Sequence, residues 1–132
     1  MRNNKPKDLQ PEEWLKRAGE DQDAAAALLE SGKVSGSMIA FHLQQAAEKQ
    51  LKAFLVAKTG EYPKIHLLDA LWEKCYSLDS SFDTIKFDVI ELEPFYIPGR
   101  YPGDYPEIDL DEAKRLTDIA LKIWNFIRDK LR

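Results

Sequence analysis

Phe41-His42-Leu43-Gln44-Gln45-Ala46-Ala47-Glu48-Lys49-Gln50-Leu51-Lys52-Ala53-Phe54-Leu55 is built almost entirely of strong helix formers, and its polar residues are not scattered. At about 100° per residue, Leu43, Ala46, Ala47, Gln50 and Phe54 share one face, while His42, Gln45 and Lys49 line up along one flank. An ordinary surface helix has no need of that grouping. The flank reads as a binding edge beside a helical core.

Working outward, helical spacing carries this segment from about Ser37 to Thr59, where Gly60 stops it, and the loop from Gly60 to Ile65 contains Pro63. Upstream, Pro11 suits a first helical position and opens a helix that runs to about Ser31, before Gly32. Trp14, Ala18, Ala25 and Leu28 form its inward stripe, and Asp21 falls on that same stripe, an acid where an apolar residue is expected. Downstream, Leu67, Leu68, Leu71, Trp72 and Cys75 predict a short third helix, and 77–83 is rich in loop formers. Ile85, Val89, Leu92 and Tyr96 keep helical spacing until Pro94 interrupts it. The last helix is signalled by Asp109 and Glu112 at capping-box spacing, followed by Leu116, Ile119, Ala120, Ile123, Ile127 and Leu131. The fold class is all-α: one domain, residues 1–132, folded as an up-and-down bundle of about five helices. Trp124 and Phe126 lie off the main stripe of the last helix, which points to a homodimer surface or to a wide core face.

A chain of 132 residues buries about two thirds of the surface its unfolded form exposes. It needs no metal or disulfide to hold that core. The formal net charge of -4 argues against general affinity for nucleic-acid backbones. A single cysteine, Cys75, excludes an internal disulfide and a cysteine zinc cluster; it reads as a small buried hydrophobe. With no apolar run of about 18 residues and no leader-like start, the expectation is a cytoplasmic protein that does not enter membranes. Glycine-rich phosphate loops, His-Glu-x-x-His and nucleophile-elbow motifs are all missing, and the acids Asp109, Asp111 and Glu112 suit the positive end of the last helix better than a metal. No cofactor is implied.

Between the fourth and fifth helices, Tyr96-Ile97-Pro98-Gly99-Arg100-Tyr101-Pro102-Gly103-Asp104-Tyr105-Pro106 combines stiffening prolines with stacking and hydrogen-bonding groups. The planar fork of Arg100 suits a phosphate or carboxylate, or alternatively pairs with Asp21 or Asp104 to pin the loop. His42 reads either as a donor to a phosphate or base edge or as a partly buried helix histidine bonded to a neighbour. His66, next to a helix start, caps or packs. Lys49 and Lys52, taken singly, are solvated helix lysines; the company of His42 and Gln45 raises Lys49.

The order Trp14-Leu15-Lys16-Arg17-Ala18, Asp21, Ala25, Leu28-Leu29, His42-Leu43-Gln44-Gln45-Ala46-Ala47-Glu48-Lys49, Leu51-Lys52-Ala53, His66-Leu67, Arg100-Tyr101-Pro102 and Asp111-Glu112-Ala113 resembles a prokaryotic HEPN domain protein over nearly the whole chain. The resemblance implies a small all-α bundle, usually a homodimer, often encoded beside a minimal nucleotidyltransferase. It also implies either nucleotide binding or metal-independent RNA cleavage in toxin-antitoxin and defence systems. The cleaving branch carries an arginine followed four to six residues later by a histidine. Here the histidines are His42 and His66, and neither follows an arginine at that spacing. The reading is therefore a non-catalytic module that binds a nucleotide, another phosphorylated ligand or a nucleotidyltransferase, with Asp21, His42, Gln45, Lys49, Arg100, Tyr101 and Asp104 as ligand-binding residues. A metal-independent RNase with a non-standard site is the alternative, and RNA is a partner only there. A purely structural dimerising subunit is the third reading.

Overall fold

The computed structural model describes residues 4–96, 101–104 and 106–132. Helix α1 spans Pro11–Ser31 and opens with proline at its first turn, where the missing N–H costs nothing. It ends at Gly32, whose φ of 68° is the left-handed conformation that closes helices cheaply when no Cβ is present. Helix α2 spans Gly36–Thr59; the Ser35 side chain caps it by accepting from the Met38 N–H, and Gly60, at φ 82°, closes it. The two pack as an antiparallel hairpin with Ala18 and Ala25 fully buried in the seam, small residues that let the helices approach closely.

Helix α3 (Leu68–Leu78) packs across α2 and buries Leu68, Leu71, Trp72 and Cys75. Leu67, expected to be inside, is the N-cap and is half exposed, because the helix begins one residue later than its apolar run. The stretch expected to be loop is instead a 3-10 turn, Ser80–Ile85, started by the Asp79 carboxylate accepting from the Ser81 N–H; it inserts Phe82 against Phe54 and Phe126. Helix α4 (Lys86–Leu92) follows, and Pro94 converts the chain to a 3-10 turn, Glu93–Phe95.

Helix α5 spans Leu110–Lys130, capped by Asp109, whose Oδ1 accepts from the Glu112 N–H at 2.8 Å. It starts against the start of α2, where a Cβ on Gly36 would stand 2.6 Å from the carbonyl oxygens of Ile108 and Asp109. The bundle is held by a continuous core of Ile39, Leu43, Leu51, Phe54, Leu71, Phe82, Ile85, Leu92, Leu116, Ile123 and Ile127. Phe126 stands edge-on to Phe82, and Trp124 lies over Gly19 of α1 with the Arg128 guanidinium 5.1 Å above it. Both off-stripe rings thus have partners within the chain, which is what a wide core face supplies. Among the described residues, no helix is long and apolar enough to cross a membrane.

Candidate functional site

Two polar clusters grow from adjacent flanks of α2. The first ties α2 to α1. Asp21 sits on the stripe that α1 turns inward, and one of its carboxylate oxygens accepts a hydrogen bond from the Lys49 ammonium. The other lies 3.6 Å from Nδ1 of His42. An acid at that position would be a half-buried, uncompensated charge without a cation from α2, so Lys49 is what makes Asp21 tolerable there. The three side chains keep 16% (Asp21), 26% (Lys49) and 27% (His42) of their surface exposed, so the group is screened but not sealed. Gln45, on the same flank, donates from Nε2 to Oε1 of the fully buried Gln44 at 2.8 Å. His42 Nδ1 is itself buried and lacks a hydrogen-bond partner among the described residues.

The second cluster follows the ridge Gln44, Glu48, Lys52, spaced one helical turn apart and all nearly inaccessible. The Lys52 ammonium donates to Glu48 Oε2 at 3.0 Å and lies 5.6 Å and 5.7 Å from the ring centres of Trp14 and Tyr62. The sequence predicts a solvated Lys52; burial of its stem and head under two aromatic faces corrects that. Those rings are fixed in turn, with Trp14 Nε1 donating to the Asp8 carbonyl and the Tyr62 hydroxyl to the Asp8 carboxylate, each at 2.8 Å. The bond to the anionic Asp8 carboxylate pushes the Tyr62 phenol above its usual pKa, with burial adding to it. Glu48 Oε2 also lies 2.9 Å from His66 Nδ1, and the His66 ring stacks on Tyr96 with centres 5.8 Å apart and planes 18° from parallel. Glu48 Oε1 is buried without a partner among the described residues. Close by, Glu93 accepts from the Leu68 N–H at 2.6 Å; burial holds its carboxyl above the ordinary range, and the charges of Asp69 and Glu48 push the same way.

Of the residues singled out from sequence, Asp21, His42 and Lys49 therefore converge, while Gln45 stands on the same flank but bonds Gln44. Arg100 lies outside the described residues. Tyr101 and Asp104 belong to an exposed turn closed by the Asp104 N–H on the Tyr101 carbonyl at 3.1 Å, and among the described residues their side chains bond to none of the other four. The ends of their segment are anchored, however. Tyr96 rests on His66, which is held by Glu48, and the Pro106 carbonyl accepts from the Ser37 hydroxyl. Ser37 and Glu48 point within about 20° of each other around α2, so both described ends of the segment meet one face of that helix, beside the flank that carries Gln45.

Gln44, Glu48, Lys52, His66 and Tyr96 were not recognised from sequence. Glu48 and Lys52 look like the exposed i, i+4 pair that decorates many helices. The signal that separates the two cases is angular, since Leu51 and Leu55 lie on the same side of α2 as that ridge. Among the described residues, no three His, Cys, Asp or Glu side chains are grouped to hold a metal.

A helical bundle with this polar seam on its second helix matches the HEPN domain profile over residues 11–130, and the chain belongs to the HEPN domain family. Among solved structures it is similar to the protein TT1696 from Thermus thermophilus, with 26% identity, a TM-score of 0.76, and coverage of 91% of this chain and 97% of that one. It has the fold of ST0689, described as an archaeal HEPN homologue, at 24% identity and a TM-score of 0.73, covering 93% of this chain and 98% of that one. No curated protein matches the chain.

Proposed function

We propose that this HEPN domain is a non-catalytic module that binds a nucleotide or another phosphorylated ligand, a minimal nucleotidyltransferase, or both. The observation that carries the reading is the meeting of Asp21, His42 and Lys49 across the α1–α2 seam, partly exposed, with Gln45 on the same flank of α2. The Lys49 ammonium carries three N–H donors and gives one to Asp21, so a phosphate can accept from another without the pair breaking. Gln45 adds an amide contact, His42 a ring nitrogen. The Arg100 fork has the chemistry to grip a phosphate.

Calorimetric titration of the purified protein with nucleoside triphosphates tests the ligand, comparing wild type with Lys49→Ala and Arg100→Ala. Binding that both variants weaken by roughly tenfold, about 1.4 kcal/mol each, supports the site. If no nucleotide binds, the ligand reading is wrong and only the partner reading stands. Co-expression with a minimal nucleotidyltransferase from the same genome, followed by size-exclusion chromatography, then decides that one.

A further inference from the structure

The Glu48–His66–Tyr96 arrangement has a geometry that the nucleotide reading leaves unused. His66 lies just before α3, yet its ring does not swing freely: Glu48 Oε2 holds Nδ1 at 2.9 Å, and Glu48 is itself clamped by the buried Lys52. Tyr96 covers one face of the imidazole at 5.8 Å and 18° from parallel. The His66 side chain nevertheless keeps 56% of its surface exposed, so the ring is not sealed by Glu48 and Tyr96. A flat ring fixed at one edge and backed on one side by a second aromatic is a shelf. Its free face has the width and polarisability of a nucleobase partner and asks for no particular base edge.

The shelf stands beside the flank proposed for phosphate. Glu48 is three residues from Gln45 on α2, so their Cβ atoms are about 5–6 Å apart, and His66 is bonded to Glu48. We propose that His66, backed by Tyr96 and held by Glu48, is the seat of the base of the bound nucleotide, and that the site prefers purine nucleotides because their larger rings cover more of the shelf. The inference rests on the nucleotide reading and assigns the base to His66 rather than to the exposed Tyr101.

The test is titration calorimetry with ATP, GTP, UTP and base-free inorganic tripolyphosphate on wild type, His66→Ala, His66→Phe and Tyr101→Ala, each checked for a native thermal melt. Loss of a stacking platform weakens nucleotide binding by about 5- to 150-fold. The expected pattern is a loss of that size for ATP and GTP in His66→Ala, unchanged tripolyphosphate binding, recovery in His66→Phe, and a smaller loss in Tyr101→Ala. In wild type, ATP and GTP bind more tightly than UTP. The inference is overturned if His66→Ala binds ATP as wild type does, if it loses tripolyphosphate equally, or if Tyr101→Ala carries the loss instead. Absence of all nucleotide binding in wild type is a different result, and it overturns the nucleotide reading itself.

Discussion

Glu48→Leu is the substitution whose effect on this bundle is largest relative to its appearance in the sequence. The Glu48 and Lys52 side chains are 8% and 4% exposed, with 3.0 Å between Nζ and Oε2, and Glu48 is the carboxylate that pairs with Lys52. Removing it leaves an ammonium among Trp14 and Tyr62 faces whose attraction was already present, so nothing new offsets the loss. Breaking a buried pair from one side costs about 3–5 kcal/mol, against a total stability of about 5–15 kcal/mol for a domain. At about 4 °C per kcal/mol, the melting temperature should fall by about 12–20 °C. Lys52→Met should cost less, because His66 still bonds Glu48 Oε2. The double variant Glu48→Leu/Lys52→Met should recover most of the loss, since two apolar side chains of similar volume suit the site better than one orphaned charge. Urea denaturation of the four proteins gives the cycle, with the midpoints read at unchanged m. If the Glu48→Leu cost stays below about 1 kcal/mol and shrinks with salt, as for an exposed pair, or if the two single losses simply add, the buried-pair reasoning is wrong.

Gln50 is 1% exposed and neither its Oε1 nor its Nε2 has a partner among the described residues, so Gln50→Met should raise stability by about 1–3 kcal/mol in the same urea assay. Gly36→Ala should lower it by about 1–3 kcal/mol or more, since the new methyl meets two backbone carbonyls at 2.6 Å and α5 must shift. For Glu93 the folded pKa is above its ordinary 4.5, so the native state holds a proton that the unfolded chain has released, and stability falls as pH rises through that window. Glu93→Gln keeps an acceptor for the Leu68 N–H and should gain on wild type at pH 7 but not near pH 4, checked by urea midpoints at both. Burial pushes the Cys75 thiol up to about 12, so a disulfide exchange reagent at about pH 8 should label it only as fast as the domain opens, an expectation read from the labelling rate against added urea.

The bundle was legible because its helices carry their own punctuation: Pro11 and Gly32 bound α1, Gly60 ends α2, and Asp109 caps α5, each acting through a local backbone requirement. The stretch 80–95 was less so, because its two 3-10 turns are set by Asp79 capping and by Pro94 rather than by a periodic face. Asp21 was legible as an anomaly on an apolar stripe, but its counter-charge was not: the sequence offers Arg100, and the structure gives Lys49. Glu48, Lys52 and His66 were not, since a charged pair one turn apart is normal on a wet surface. Only the tertiary cover from Trp14 and Tyr62, far away in sequence, makes Lys52 a buried cation.

The two clusters also differ in what a ligand can ask of them. Lys52, sealed at 4% exposure beneath two rings, cannot leave Glu48 without losing a buried charge pair, so it holds the back of the site still and fixes the His66 ring through the shared carboxylate. Lys49, at 26% exposure, keeps donors beyond the one it gives to Asp21 and can offer them to an incoming anion without leaving the pair. A bundle selected for stability alone would replace Asp21, Gln44, Glu48 and Gln50 with apolar side chains, several of which would raise its melting temperature. The pairs Asp21–Lys49 and Glu48–Lys52 instead occupy adjacent flanks of α2, a partly exposed pair beside a sealed one, whereas Gln50 lies on the core face about 200° from Glu48. On that reading Gln50→Met, which touches neither pair, stabilises without changing nucleotide affinity, whereas an apolar replacement of both Glu48 and Lys52 restores stability and still loses the shelf.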